Sequence, residues 1–238
     1  MTTYIKALAA CLLSIAMIGC TMQEQPTQSG LLRSNFQIEH MGMQTDLYTL
    51  TNDNGMEVCF TNFGGRIVSI LVPDRHGNML DVCLGHDSIA DYIRYGYQGC
   101  NFGALIGRYG NRIKDGKFTL DGIEYQLPRN NDGNCLHGGG DIAFHNRMWQ
   151  AQPISNSSIA FTTISPDGED GFPGNLSVKV TYTLTNDNAI SIAYEATTDK
   201  PTVINLTNHC YFCLSGDPTR DAGVNWFDGD FKEVDKPF

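Results

Sequence analysis

The sequence predicts an all-β protein, a large antiparallel β-sandwich, and three observations predict it. Apolar and polar residues alternate with a period of two in several short runs, tight-turn dipeptides separate the runs, and only one short stretch carries helix signals. Composition agrees. With 41% hydrophobic and 18% charged residues among 238, and 25 Gly against 9 Pro, the chain is neither disordered nor collagen-like and fits one sizeable domain or two small ones.

The N-terminal segment reads as processing rather than fold. Residues 1–20 carry one charge, Lys6, followed by the uncharged run Ala7 to Gly19, too short for a membrane-spanning helix of roughly 20 residues. The run ends in Met17-Ile18-Gly19-Cys20, which resembles the lipobox of bacterial lipoproteins. The expectation is a signal peptide cut before Cys20, acylation of that cysteine, and a lipid-anchored protein of the bacterial cell envelope. Ordinary secretion with a nearby Ala/Gly cleavage site fits the same residues. Residues 21–35, polar with Pro26 and Gly30, predict a tether, so the folded domain is expected over 36–238, starting near Phe36.

The elements follow in order. Leu47-Tyr48-Thr49-Leu50 reads as a strand returning through Asn54-Gly55 to Val58, and Ile67 to Val72 is a strand-length apolar run stopped by Pro73-Asp74. Asp87 to Tyr95, opening on Asp87 and Ser88 as caps, is the one short helix. Phe118 to Leu120 and Ile123 to Leu127 form a hairpin, because Asp121-Gly122 supplies the positive φ angles of a tight primed turn. Val178, Val180, Tyr182 and Leu184, then Ile190, Ile192 and Tyr194 across Asn186-Asp187-Asn188, form another hairpin with one buried face.

Charge and cysteine content narrow the function. Lys+Arg number 16 against Asp+Glu 26, and a net charge of -10 without a basic cluster disfavours a nucleic-acid partner. Aromatic residues with few charges suit a pocket for a small, neutral, polar molecule such as a sugar. No Gly-rich phosphate loop joins a strand to a helix, so a nucleotide cofactor is not expected. Cys11 and Cys20 belong to the leader, leaving Cys59, Cys83, Cys100, Cys135, Cys210 and Cys213. An even number in an exported chain permits disulfides, but Cys59 and Cys83 lie in apolar strand-like runs, so mostly free thiols are expected. Cys210-Tyr-Phe-Cys213 has the spacing of redox and zinc motifs, with no second such pair to accompany it.

Four segments combine Gly, Asn, Arg and His beyond what a core needs. Gly107-Arg108-Tyr109-Gly110-Asn111-Arg112-Ile113 offers two guanidinium forks suited to sugar hydroxyls and a ring oxygen, and equally fits a solvated turn. In Asn134-Cys135-Leu136-His137-Gly138-Gly139-Gly140 the glycines let backbone approach a ligand, and neutral His137 has one donor and one acceptor. Ser165 to Gly174 is dense in turn formers and reads first as a shaped connection holding the rim. Asn205-Leu206-Thr207-Asn208-His209-Cys210-Tyr211-Phe212 is a β-type run whose polar members interrupt an apolar pattern. Its histidine is either functional or satisfied by a neighbouring carbonyl.

Together these segments resemble the aldose 1-epimerase (galactose mutarotase) family. The Pro73-Asp74 to Gly77 turn, Leu84-Gly85, Phe102-Gly103, Gly107-Arg108 with Asn111-Arg112-Ile113, Leu136-His137-Gly138-Gly139, Asp167-Gly168 with Gly171-Phe172-Pro173-Gly174, and Asn205 to His209 with Tyr211-Phe212 fall in the family's order, from about Thr45 to Asp221. The resemblance implies a galactose mutarotase-like supersandwich and interconversion of the α and β anomers of free hexoses such as glucose or galactose, with no metal or organic cofactor. It implies His209 as general acid, His137 as a second catalytic and sugar-holding group, and Asn111 and Arg112 as substrate-binding residues. Ring opening needs a proton delivered to the ring oxygen while another group takes the anomeric hydroxyl proton, and histidine near pKa ~6.5 suits such transfers. Cys210 and Cys213 stand where the family more often has small or polar residues.

The resemblance also implies a glutamate base and a sugar-binding aspartate farther downstream of the histidine than Phe238, so a sandwich incomplete at the C-terminus and impaired catalysis are expected of this chain. Glu169 and Asp170 are the internal carboxylates that could replace the base, although a solvent-exposed turn explains their charges equally. A non-catalytic carbohydrate-binding lipoprotein is the alternative function. A glycoside hydrolase, which needs two carboxylates about 5–9.5 Å apart, ranks last because no convincing pair is present.

Overall fold

The structure is a computed structural model, and it describes residues 24–216. Cys20 and the rest of the expected signal peptide lie outside the described residues, as does Asp221. The strands, in chain order, are β1 (Glu39–His40), β2 (Met43–Gln44), β3 (Leu47–Thr51), β4 (Glu57–Thr61), β5 (Arg66–Pro73) and β6 (Met79–Asp81). After helix α1 (Ile89–Gly96) come β7 (Leu105–Ile106), β8 (Arg112–Ile113), β9 (Lys117–Leu120), β10 (Ile123–Gln126) and β11 (Cys135–Leu136). The last group is β12 (Gln150–Ser155), β13 (Ser158–Ser165), β14 (Leu176–Leu184), β15 (Ile190–Thr198) and β16 (Thr207–Asn208).

Two four-stranded antiparallel sheets, β3-β4-β5-β6 and β12-β13-β14-β15, make the sandwich. Their inner faces meet in one cluster. Val58, Phe60, Ile67 and Ile70 of the first sheet pack with Ile159, Phe161, Val178, Val180 and Tyr182 of the second, around the fully buried Trp149. Alternation along β14 is complete, with Leu176, Val178, Val180, Tyr182 and Leu184 buried, as its period of two predicts. β15 differs from the expected one-sided burial: Ile190 and Ile192 are half-buried and Tyr194 is 37% exposed. The reason is position. β15 is the edge of its sheet, and among the described residues no strand pairs with its outer side.

Local chemistry explains the turns and caps. Asp121 (φ 52) and Gly122 (φ 80) take the left-handed values that join β9 to β10 with Leu120 opposite Ile123. Of the two candidate caps, Ser88 rather than Asp87 is the N-cap of α1, its hydroxyl accepting the Asp91 N–H. Among the described residues no helix is long and apolar enough to cross a membrane.

The expected tether over 21–35 does not stay free of the domain. The Gln28 and Ser29 N–H groups donate to the Glu57 carboxylate (3.1 and 3.0 Å), Leu31 is buried, and Arg33–Phe36 form a 3-10 turn with Phe36 fully buried. Glu57 causes this. It is only 3% exposed on an internal strand and needs those donors, so packing begins several residues before Phe36.

Candidate active site

The site is built where two short ladders end. β8 pairs with β11, setting Arg112 opposite Leu136, and His137 follows directly. β16 pairs with β7, setting Thr207 opposite Ile106, and His209 follows directly. The link between β7 and β8 is close-packed. Gly138 (φ 86) lies so near the Gly107 carbonyl that a Cβ would stand 1.9 Å from its oxygen, so only glycine fits.

The two histidine rings then meet edge to face, with centroids 5.0 Å apart and planes at 87°. His137 is fixed by a reciprocal pair: its N–H donates to the Asn111 carbonyl (3.0 Å), and the Asn111 N–H donates to its Nδ1 (3.1 Å). With Nδ1 accepting, the proton of the neutral ring sits on Nε2, available to a ligand. Burial, then the neighbouring His209 and Arg112, push the His137 pKa down to about 4, so the ring is neutral at pH 7. His209 stacks on Tyr211 at 4.9 Å, and its N–H donates to the Ala104 carbonyl (2.8 Å) while its own carbonyl accepts the Gly103 N–H (3.1 Å).

Arg112 is exposed beside this pair, its Nε donating to Asn131 Oδ1 (2.8 Å) and its Nη1 to Asn111 Oδ1 (3.3 Å). Those amides aim the fork and leave donors free for hydroxyl oxygens. Arg108, the other guanidinium of that motif, is not part of the site. It is buried, and it donates to Ser165 Oγ and to the carbonyls of Ser165, Pro166 and Pro173 at 2.8–2.9 Å. That network also shows what the Ser165 to Gly174 connection does: it is the socket of Arg108.

The solvent-exposed reading of the carboxylates in that connection needs correction. Glu169 is ion-paired to buried Arg147 (2.5 Å) and accepts the Ser165 hydroxyl, so its charge is already engaged. Asp170 is half-buried against Gly140, and burial, then Glu169, raise its pKa.

Sequence reasoning passed over three contributors. Asn208, read only as part of its motif, donates from Nδ2 to the Gly103 carbonyl (2.7 Å) and the Tyr182 hydroxyl (3.1 Å), while its Oδ1 accepts the Cys210 N–H (2.9 Å). It thereby ties the His209 segment to the core. Asn131, which holds Arg112, had as its only signal the polar run ahead of the His-Gly-Gly loop. His145, 7% exposed with Nδ1 unpartnered, has its pKa pushed down to about 3 by burial, Arg66 and the histidine pair. Nothing in its surrounding sequence marks it. A cavity of about 600 Å³ lined by Met43, Met148, Ile164 and Lys179 lies elsewhere and contains none of the predicted site residues.

Comparison with known proteins identifies the family and agrees with the fold. A family model described as aldose 1-epimerase matches residues 46–236. The chain is 41% identical over 176 residues to an aldose 1-epimerase of Escherichia coli K12, covering 74% of this chain and 50% of that protein. It is 40% identical over 180 residues to a galactose mutarotase of Rattus norvegicus, covering 76% and 51%. Among solved structures, an aldose epimerase homologue from C. elegans superposes with a TM-score of 0.68 at 31% identity, covering 73% of this chain and 52% of that one. A galactose 1-epimerase from Lactobacillus acidophilus gives 0.65 at 29% identity, covering 74% and 51%. The chain spans about half the length of the curated relatives it matches. With the family model spanning most of its length, two relatives at 40% identity or more, and a paired-histidine rim on an antiparallel sandwich, the chain belongs to the aldose 1-epimerase family.

Proposed function

We propose that the rim formed by Asn111, Arg112, His137 and His209 binds a free aldohexose and interconverts its anomers. The observation that carries this reading is the 5.0 Å edge-to-face contact of two histidines brought from separate ladders, one of them held neutral. In the proposed reaction His209 delivers a proton to the ring oxygen as the bond between that oxygen and C1 breaks, and a base takes the proton of the anomeric hydroxyl. Rotation about C1–C2 presents the other carbonyl face, and the same transfers in reverse close the other anomer. His137, through Nε2–H, and Arg112 hold sugar oxygens during ring opening.

The base is the part these residues supply least well. Among the described residues, the groups acting on His137 are His209 and Arg112, Glu169 is held by Arg147, and Asp170 has a raised pKa. Without a positioned base these residues would turn over about 10²–10⁴-fold more slowly than with one. Polarimetry on freshly dissolved α-D-glucose and α-D-galactose measures this directly. The reading expects anomer interconversion above the rate in buffer with the wild-type chain, and its loss in His209→Asn. Unchanged turnover in His209→Asn would overturn its role as the acid, whereas sugar binding with no gain in rate over buffer would favour a carbohydrate-binding protein.

The leader supports a further proposal, attachment to the bacterial envelope through acylated Cys20, because the uncharged run ends in a lipobox-like tetrapeptide. Mass spectrometry of the membrane fraction should show a modified N-terminal cysteine; an intact Met1 would rule it out.

A further inference from the structure

We propose that Cys83 and Cys210 form a reversible disulfide that pins the segment carrying His209 to the chain following β6. Their Sγ atoms are 3.1 Å apart, in direct contact and about 1 Å farther than a sulfur–sulfur bond of roughly 2.05 Å. The backbone explains why they meet. Cys83 forms an antiparallel bridge with Phe212, the Leu84 N–H donates to the Tyr211 carbonyl (2.9 Å), and the Cys213 N–H donates to the Val82 carbonyl (2.9 Å). Side chains two residues apart on an extended strand share a face, so Cys210 lies diagonally across from Cys83 on the side of Phe212.

The partner is not the one that the Cys210-Tyr-Phe-Cys213 spacing suggests. Cys213 Sγ sits against the Ser215 hydroxyl (3.4 Å). Cys59 is buried among Ser29, Thr49 and Glu57, and Cys135 is buried elsewhere. Each proposed partner borders a cavity, and Cys210 is the less buried of the two. Cys83 lines a cavity of about 400 Å³ with Asp81, His86 and Phe102, and Cys210 lines one of about 290 Å³ with Ile192 and Asn208.

The chemistry is exchange with a low-molecular-weight disulfide. Half-buried Cys210, as thiolate, attacks one sulfur of oxidised glutathione, whose S–S bond breaks to release one glutathione thiol and leave a mixed disulfide. Cys83 gives up its proton and attacks the Cys210 sulfur, releasing the second glutathione thiol. Two protein S–H bonds are lost, one S–S bond forms, and the glutathione disulfide is reduced to two thiols by the two electrons. The neighbouring thiol and burial raise the Cys83 pKa, so the buried sulfur stays protonated until the mixed disulfide is in place.

The bond would brace a catalytic segment already held on its other side, where the His209 backbone bonds Ala104 and Gly103. The test uses the 238-residue chain, incubated with oxidised glutathione or with dithiothreitol, blocked with N-ethylmaleimide, digested without reduction and mapped by mass spectrometry. A cross-linked peptide pair joining Cys83 to Cys210 is expected only after oxidation, with the free-thiol count down by two and restored by dithiothreitol. The link should persist in Cys213→Ser and vanish in Cys83→Ala and in Cys210→Ala. Amide exchange across residues 209–213 should slow roughly tenfold on oxidation. Full alkylation after oxidation, glutathione retained on Cys210, or a Cys210–Cys213 link would each overturn the proposal, and the wild-type map decides this even where a variant folds poorly. A correct link with unchanged exchange would overturn the pinning.

Discussion

His137 and His145 are neutral in the folded protein because charging them means solvating a cation inside it, beside other cationic groups. Their folded pKa values lie near 4 and 3, whereas an unfolded histidine titrates near 6.5. Between those values the unfolded chain binds more protons, so the stability these neutral rings contribute is full above pH 6.5 and is lost as pH falls through the folded values. Chemical denaturation at pH 7.5 and pH 5 should show a loss of about 2 kcal/mol for the buried His145 ring and less for half-buried His137 at the lower pH; an unchanged midpoint would mean that the rings titrate normally. The two arginines of one motif should separate in the same assay. Arg108→Ala leaves four buried acceptors without their donor and should cost about 3 kcal/mol. Arg112→Ala, on the exposed rim, should cost under ~0.5 kcal/mol in stability while weakening the proposed sugar binding, read as a raised KM.

At the scale of elements, the short ladders matter more than their length suggests. β8 with β11 and β16 with β7 are two residues each, yet they set where His137 and His209 emerge. Their support comes from packing around them. Gly138→Ala would drive a methyl group into the Gly107 carbonyl and force a left-handed backbone on alanine, so it should cost more than about 2 kcal/mol and misplace His137. Ser88→Ala removes only the cap of α1 and should cost about 1 kcal/mol without touching the proposed sugar site. Thermal melts of the two variants would show the contrast, and equal shifts would contradict it.

For the whole molecule, the two sheets share one core, but they do not end alike. β14 is covered on both edges by β13 and β15, whereas the outer edge of β15 has no partner strand among the described residues. Alternate amides of β15 should therefore exchange with deuterium roughly tenfold faster than those of β14, by residue-resolved measurement. Equal protection would show that another part of the chain, or a second copy, covers the edge.

Strand periodicity, the Asp121-Gly122 turn and the Ser88 region were legible because each depends on neighbouring residues alone: side chains alternate, and a turn or cap is satisfied within a few positions. Residue types singled out four segments, and the family resemblance narrowed them to Asn111, Arg112, His137 and His209. Which of the two arginines four positions apart sits in a buried socket, why residues before Phe36 are packed, and that Cys210 faces Cys83 rather than Cys213 were decided only by the tertiary structure. Each depends on a buried polar or sulfur atom finding its partner across a distance in sequence that no local pattern encodes: Arg108 at Ser165, Glu57 at Gln28 and Ser29, and Cys210 at Cys83.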